Sequence, residues 1–308
     1  MKPLAVTLGD PAGIGPEVVL KAVAAVDVPV WLFGSRRWTE RSGALPPVER
    51  FIDVPGSGEL RFGEISAEYG RVALDSIEQA VEAVEQGRCA ALVTAPIQKQ
   101  AVAAAGSPHP GHTELLAARA GLARYGRDFA MYFDSPSIRT VLLSVHVPLW
   151  EALASITPEG IADLAALTRR EYGRLHGTAP RIAVAGVNPH AGEGGLFGNE
   201  EERIARGVDA ARRAGIDASG PHPADTVFLA ARNGAYDVVM AMYHDQGLIA
   251  VKTLDFERAV NVTIGLPYLR CSVDHGTAFD IAGRGAADPR PMRNAIEWAA
   301  RHAARWER

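Results

Sequence analysis

Two cysteines, Cys89 and Cys271, are all that a chain of 308 residues contains. That is too few for a disulfide framework, and their separation matches no cysteine metal or redox motif, so a reducing, cytoplasmic setting is expected. Long apolar runs are missing too. The stretch from Met1 to Asp10 holds only a short apolar run before a turn. No later run approaches the roughly 20 residues that a membrane-crossing helix needs, so no membrane partner is expected. Nor is there a run of Lys or Arg. With 32 basic against 36 acidic side chains the formal net charge is -4, which argues against a surface built for nucleic acid. Internal repeats, low-complexity linkers and breaks in composition are also absent.

What is present is apolar material, 47% of the residues, enough for one large or two medium cores. Short β-rich runs alternate with alanine-rich helical patterns from end to end. Strands are predicted over 4–8, 28–33, 90–94, 140–145, 181–187, 238–242 and 261–264. Helices are predicted from Pro16–Glu17 and over 75–86, 114–120, 158–175 and 200–214. This alternation argues an α/β fold with mostly parallel sheets. The stretch from Arg41 to Gly63 has the weakest periodicity and reads as a loop or small excursion. The uniform composition fits two α/β/α domains wound together, with the chain crossing more than once: 1–105 plus 246–308 on one side, and 106–245 on the other.

Several segments carry residues suited to chemistry. His146, His190 and His244 each follow a predicted strand, at the edge where open α/β sheets place ligands. Converging there, three imidazoles suit zinc or a similar ion. Their separations match no local metal motif; each one singly reads better as a hydrogen-bonded structural histidine, and the three as a set read equally either way. Lys252, Asn261 and Arg270 supply a point charge, an amide and a planar fork suited to phosphate, or else are strand-end groups in solvent. In Gly111-His112-Thr113-Glu114, Thr113 is placed to cap a helix starting at Glu114 while His112 and the first amides face an anion. The turn from Gly9 to Glu17 brings glycines and a helix start together after a strand. It matches neither the dinucleotide nor the P-loop fingerprint, and a tight turn is its simpler reading. Finally, the glycine-punctuated run from Asp274 to Gly285 offers His275 to stack on a base beside Gly276. Asp280 follows to accept ribose hydroxyls and repel a 2′-phosphate, which favours NAD over NADP.

Taken together, the blocks around Gly9–Glu17, His112, His190, His244 and Asn261–Gly283 resemble the 4-hydroxythreonine-4-phosphate dehydrogenase family of pyridoxal phosphate biosynthesis, over nearly the whole chain. The resemblance implies a fold like isocitrate and isopropylmalate dehydrogenases and an obligate homodimer with its active site at the interface. It implies His146, His190 and His244 as ligands of one divalent metal (zinc, cobalt or magnesium), shared across that interface. His112, Thr113, Lys252, Asn261 and Arg270 would bind a small phosphorylated hydroxy acid, and the His275–Asp280 loop would hold the adenosine end of NAD. The family's reaction oxidises the C3 hydroxyl of 4-phosphohydroxy-L-threonine, and the 3-oxo acid then loses carbon dioxide. A base must take the hydroxyl proton; Lys252, Asp245 and Asp225 are candidates, the two acids serving equally as groups that orient the histidines.

Three features depart from the family pattern: Gln98 stands where Asn is expected, Cys271 where Thr is expected, and the segment between the first helix and Asp75 is short. Relatives acting on phosphorylated threonate or erythronate share the basic cluster, whereas it disfavours a cyclic dihydrodiol. From another class, a phosphate acyltransferase would need neither three histidines nor an adenosine loop, and a silent phosphate-binding protein is disfavoured by the retained metal and phosphate set and excluded by turnover with NAD.

Overall fold

The structure is a computed structural model and describes residues 1–306. The chain divides into two compact units, Met1–Ala120 with the chain from Pro267 onward, and Gly121–Leu266.

In the first unit, β1 (Leu4–Thr7), β2 (Val30–Gly34), β3 (Arg50–Asp53), β4 (Leu92–Thr94) and, numbered along the whole chain, β11 (Arg270–Ser272) lie in the order β3-β2-β1-β4-β11. Every neighbouring pair is parallel, with Thr7 beside Thr94 and Thr94 beside Ser272. β1 and β4 are buried throughout, as unbroken apolar strands of a parallel sheet must be. The helices are α1 (Gly15–Val23), α2 (Arg36–Thr39), α3 (Ala67–Glu85), α4 (Lys99–Ala104), α5 (His112–Arg119) and α11 (Arg290–Trp306). The excursion from Arg41 to Gly63 holds β3, an edge strand whose exposed ends hid it from an apolar pattern. Val54 and Leu60, just beyond β3, pack with Trp38, Tyr69 and Val72.

The second unit holds β5 (Ala130–Asp134), β6 (Arg139–Leu142), β7 (Ile182–Ala185), β8 (Ala218–His222), β9 (Val238–Ala241) and β10 (Val260–Ile264), in the order β10-β5-β6-β9-β7-β8. β10, β5 and β6 are antiparallel neighbours; β6, β9, β7 and β8 run parallel. Its helices are α6 (Leu149–Ala154), α7 (Pro158–His176), α8 (Glu200–Arg213), α9 (Ala224–Arg232) and α10 (His244–Asp255). Local chemistry sets the ends of α7. Thr157 Oγ1 accepts from the Gly160 amide at 3.0 Å, Pro158 sits in the first turn, and Gly177 closes the helix at φ 80°. Met131, Phe133, Leu142, Leu248 and Val251 form one core cluster of this unit.

The crossings fall after residues 120 and 266, where 105 and 245 were expected. Arg119 of α5 pairs with Glu78 and Glu85 of α3, which keeps α5 in the first unit, and β10 pairs along its length with β5, which keeps it in the second. No helix among the described residues is long and apolar enough to cross a membrane.

Candidate functional site

The three histidines lie on one edge of the second unit. β6, β9 and β7 are adjacent and parallel, so the chain leaves all three in the same direction, toward His146, His244 and His190. The Leu143 amide donates to the Ala241 carbonyl at 2.8 Å and Ser144 Oγ to the Met242 carbonyl at 2.9 Å, joining the first two exits. The rings of His146 and His244 stand 5.9 Å apart between centroids and line one cavity of about 230 Å³. That spacing lets two imidazole nitrogens reach a common ion at roughly 2.0–2.1 Å each. His244 Nδ1 lies 2.7 Å from Asp245 Oδ1, a contact that fixes the ring and leaves Nε2 for a ligand. His190 stands on the third exit, outside that cavity, with Phe197 beside its ring at 6.3 Å. A single chain thus brings two of the three together.

Backbone strain gathers at these exits. Among the described residues, five other than glycine have positive φ: His146, His190, Ala191, Glu193 and Ala278. Each costs on the order of 1–2 kcal/mol and persists only where its surroundings enforce it, a pattern associated with functional sites. A second cavity of about 430 Å³ is lined by His244, Asp245, Leu248, Ile249, Lys252 and Thr253. Lys252 therefore faces the same space as His244, two turns on along α10. Asp225 is exposed in the first turn of α9 and lines neither cavity. Asn261 sits in β10 opposite Phe133, its Oδ1 buried without a hydrogen-bond partner.

In the first unit, α5 begins at His112, two residues before the expected start. Gly111 is its N-cap, and Thr113 is a buried residue of the first turn instead of the cap. Extended backbone at Gly111 lets the helix start there without a side-chain cap. His112 is half-buried as a residue, yet its Nε2 is fully enclosed and has no hydrogen-bond partner. Burial, and then the nearby Arg270 charge, hold its imidazole well below the usual value, so it is neutral at physiological pH. Arg270 is among the largest fully buried side chains and donates from Nη2 to Thr94 Oγ1 at 2.7 Å. Burial lowers it to about 10, which still leaves it charged.

The turn after β1 supports the loop expected to hold adenosine. The Ile14 amide donates to the Thr277 carbonyl, and a Cβ on Gly13 would meet Thr277 at 2.9 Å, so a bare backbone is needed there. Glu17 Oε1 accepts the Ala287 amide, and Lys21 binds the carbonyls of Gly285 and Ala287. The motif from Gly9 to Glu17 is therefore a tight turn that braces residues 277–287. Just before the braced segment, His275 Nε2 is buried without a partner and Gly276 has open space where a side chain would be; within it, Asp280 is exposed. A base, a close-approaching backbone and a carboxylate for ribose are all compatible with NAD.

Both substituted positions now have a place. Gln98 is the N-cap of α4, its Oε1 accepting the Gln100 amide at 3.1 Å, a job the shorter Asn does as well. Cys271 alternates with Arg270 along β11, and its thiol donates to the Ala295 carbonyl of α11 at 3.4 Å. Burial pushes that thiol up to about 12. It points away from the Arg270–Thr94 face, so it leaves that face unaltered. Sequence reasoning missed Thr94, whose place beside Arg270 needs the β4–β11 register, and Asp10. The Asp10 carboxyl is fully buried; Oδ1 accepts the Ala12 amide at 2.8 Å and Oδ2 has no partner. Burial raises it to about 6, against the Ala12 amide hydrogen bond that pulls it down.

The chain as a whole is similar to known proteins. The family model of the pyridoxal phosphate biosynthetic protein PdxA matches residues 12–299. A 4-hydroxythreonine-4-phosphate dehydrogenase of Beijerinckia indica subsp. indica is 44% identical, with 97% of this chain and 94% of that one covered. A D-threonate 4-phosphate dehydrogenase of Pectobacterium atrosepticum is 40% identical, with 97% and 98% covered. The crystal structure of 4-hydroxythreonine-4-phosphate dehydrogenase from Klebsiella pneumoniae matches with a TM-score of 0.89 at 40% identity, covering 98% of this chain and 100% of that one. This chain belongs to the PdxA family of pyridoxal phosphate biosynthetic proteins.

Proposed function

We propose that the protein is an NAD- and divalent-metal-dependent dehydrogenase that oxidises 4-phosphohydroxy-L-threonine at C3 to 2-amino-3-oxo-4-phosphooxybutanoate. Loss of carbon dioxide from that 3-oxo acid gives 3-amino-2-oxopropyl phosphate, on the way to pyridoxine 5′-phosphate. One observation carries the reading: buried polar atoms lack partners at His112, Asn261 and His275, three residues the resemblance assigns to substrate and cofactor. Each such atom costs about 1–3 kcal/mol unless a ligand completes it. The name of the Beijerinckia relative supplies the substrate.

His146, His190 and His244 would hold the ion, and imidazole donors suit zinc or cobalt better than magnesium. When bound, the ion supplies Lewis acidity toward the hydroxyl, and NAD, with its adenosine end on His275, Gly276 and Asp280, supplies the hydride acceptor. The remaining work belongs to the chain. Asp245 holds His244 in one orientation. Arg270 stays cationic and grips phosphate, and neutral His112 adds a single donor beside Thr113. Asn261 contributes its amide. Lys252 is the base we favour, since it faces the cavity of His244 while Asp245 is engaged with that histidine and Asp225 lies outside.

The same reading makes the protein a cytoplasmic homodimer. Val147, Leu149 and Trp150 follow His146; Leu196 and Phe197 follow His190; Ile249 follows His244. All six are exposed large apolar side chains, and a second copy laid over them would also close on the histidines. A threonate phosphate substrate is the second reading, favoured by the Pectobacterium relative at 40% identity.

The test is NADH formation by metal-reconstituted protein, comparing 4-phosphohydroxy-L-threonine with 4-phospho-D-threonate. A chelator-sensitive preference for the first supports the proposal. Preference for the second moves the enzyme to sugar-acid catabolism, and turnover of neither sinks the dehydrogenase reading. Light scattering that shows an active monomer would remove the dimer.

A further inference from the structure

His190 is carried by an unusual piece of backbone. Five successive residues, His190 to Gly194, have φ between 42° and 79°, and three of them are not glycine. What holds this left-handed turn is Glu201, a buried acid in the first turn of α8. Its Oε1 accepts the amides of Val187 and Asn188 at 2.9 and 2.7 Å, and its Oε2 accepts Asn188 Nδ2 at 2.8 Å. The turn closes tightly on the carboxylate: a Cβ added to Gly192 would lie 2.9 Å from Oε2, and one added to Gly186 would lie 3.2 Å from Oε1.

A second buried side chain ties this segment to the next histidine. Gln246 lies two residues after His244, and both ends of its amide are used. Oε1 accepts the Met242 amide at 2.7 Å, on the exit leading to His244. Nε2 donates to the Gly186 carbonyl at 2.7 Å, on the exit leading to His190. One planar amide thus sets the separation of two histidine-bearing exits, and Ser144 joins the third to them through the Met242 carbonyl. Neither Glu201 nor Gln246 lines the cavities around His244.

We propose that Glu201 and Gln246 are positioning residues of the metal site: Glu201 holds the turn that presents His190, and Gln246 fixes the distance from that turn to His244. The proposal rests on His146, His190 and His244 being the metal ligands. Groups that orient ligands in this way typically govern metal affinity by 10–100-fold.

The experiment is Co(II) binding to the purified full-length protein after chelation, read as affinity against a chromophoric chelator and as the visible absorption band of bound Co(II). Glu201→Gln keeps size and weakens the acceptors for three donors. Gln246→Glu keeps size and turns one donor into an acceptor facing the Gly186 carbonyl. Both are expected to lower affinity about 10–100-fold and to change the band. Thr168→Val, which removes a buried hydroxyl bonded to the Leu164 carbonyl in α7, is the control for lost stability and should leave both readouts unchanged. Asn188→Ala, which removes the side-chain donor shared by Glu201 and Glu200 and leaves the two backbone donors to Glu201, serves if the first two variants do not fold. Wild-type affinity and band in the Glu201 and Gln246 variants, with binding lost in His190→Ala, overturn the proposal and leave the ligand assignment standing. Wild-type binding in His190→Ala removes that assignment and the proposal with it.

Discussion

In the first unit the groups left over by folding are polar and buried: Nε2 of His112, Nε2 of His275 and Oδ2 of Asp10. In the second they are mainly apolar and exposed, running from Val147 through Trp150, Leu196 and Ile249 to Phe256. Met1 and Ile65 are the first unit's members of that exposed set among the described residues, and Thr140 and Asn261 are the second unit's buried exceptions. The two kinds of surplus call for different partners. An enclosed imidazole nitrogen is completed by a small polar ligand that fits the enclosure, whereas an exposed indole is completed by another protein surface. Under the proposed function, the first unit's surplus would be completed mainly by substrate and cofactor, and the second unit's mainly by a second copy.

The contrast breaks most sharply at Trp150, which is 72% exposed directly after the His146 segment. In a two-fold interface the residue occurs twice, and a central aromatic contributes at least about 2 kcal/mol at each occurrence. Trp150→Glu is therefore expected to raise the dimer dissociation constant on the order of 1,000-fold or more, measured by sedimentation across a range of concentrations. Sedimentation identical to the parent protein would mean that the apolar surplus serves something else. In the first unit, Arg270→Met removes a buried charge that hydrogen bonds to Thr94. A charge-assisted contact to phosphate is worth about 1.5–3 kcal/mol, so KM for the phosphorylated substrate should rise roughly 10–100-fold with the oligomer intact. Unchanged KM would detach the polar surplus from substrate.

Much of this contrast is legible in the sequence, and the illegible part has physical causes. β1, β4, β7 and β9 are short apolar runs bounded by turns, and His190 and His244 follow the last two, so these strands and most of the site edge can be read directly. β5 escapes because Ala-Met-Tyr-Phe-Asp has neither clean alternation nor a β-branched residue; its pairing with β6 and β10 makes it a strand. The left-handed turn at His190 is half visible in Gly192, Gly194 and Gly195, but nothing in Ala191 or Glu193 signals positive φ. Glu201 and Gln246 look like ordinary polar residues near helix starts. Only the β9–β7 register, fixed by non-local pairing, shows that Gln246 spans two exits and that Glu201 sits against one of them.

Asp10 sharpens the picture of the first unit, since its buried carboxyl is unsatisfied without belonging to any ligand set read from the sequence. A buried acid raised from 3.8 to about 6 binds its proton more tightly in the folded chain than in the unfolded one. The stability this confers is present in full below pH 3.8, falls as pH rises through the interval up to about 6, and is gone above it. Asp10→Asn keeps an acceptor for the Ala12 amide and removes the charge. Its melting temperature should match the parent near pH 4 and exceed it above pH 7, by an amount corresponding to at most about 3 kcal/mol. A difference that does not vary with pH would show that the carboxyl is satisfied in solution.

The smallest effect is expected at Cys271, and it separates the two faces of β11. Arg270 and Cys271 are neighbours in sequence, but the pleat sends one toward Thr94 and the other toward Ala295 of α11. Cys271→Thr puts a hydroxyl where the thiol donates to the Ala295 carbonyl, and a β-branched residue suits a strand. Stability should change by less than about 1.5 kcal/mol, and the ratio of kcat/KM between 4-phosphohydroxy-L-threonine and 4-phospho-D-threonate should not move. A shifted ratio would mean that packing between β11 and α11 reaches through the strand to Arg270. The choice between those substrates would then depend on how β11 is seated as well as on the groups that touch phosphate.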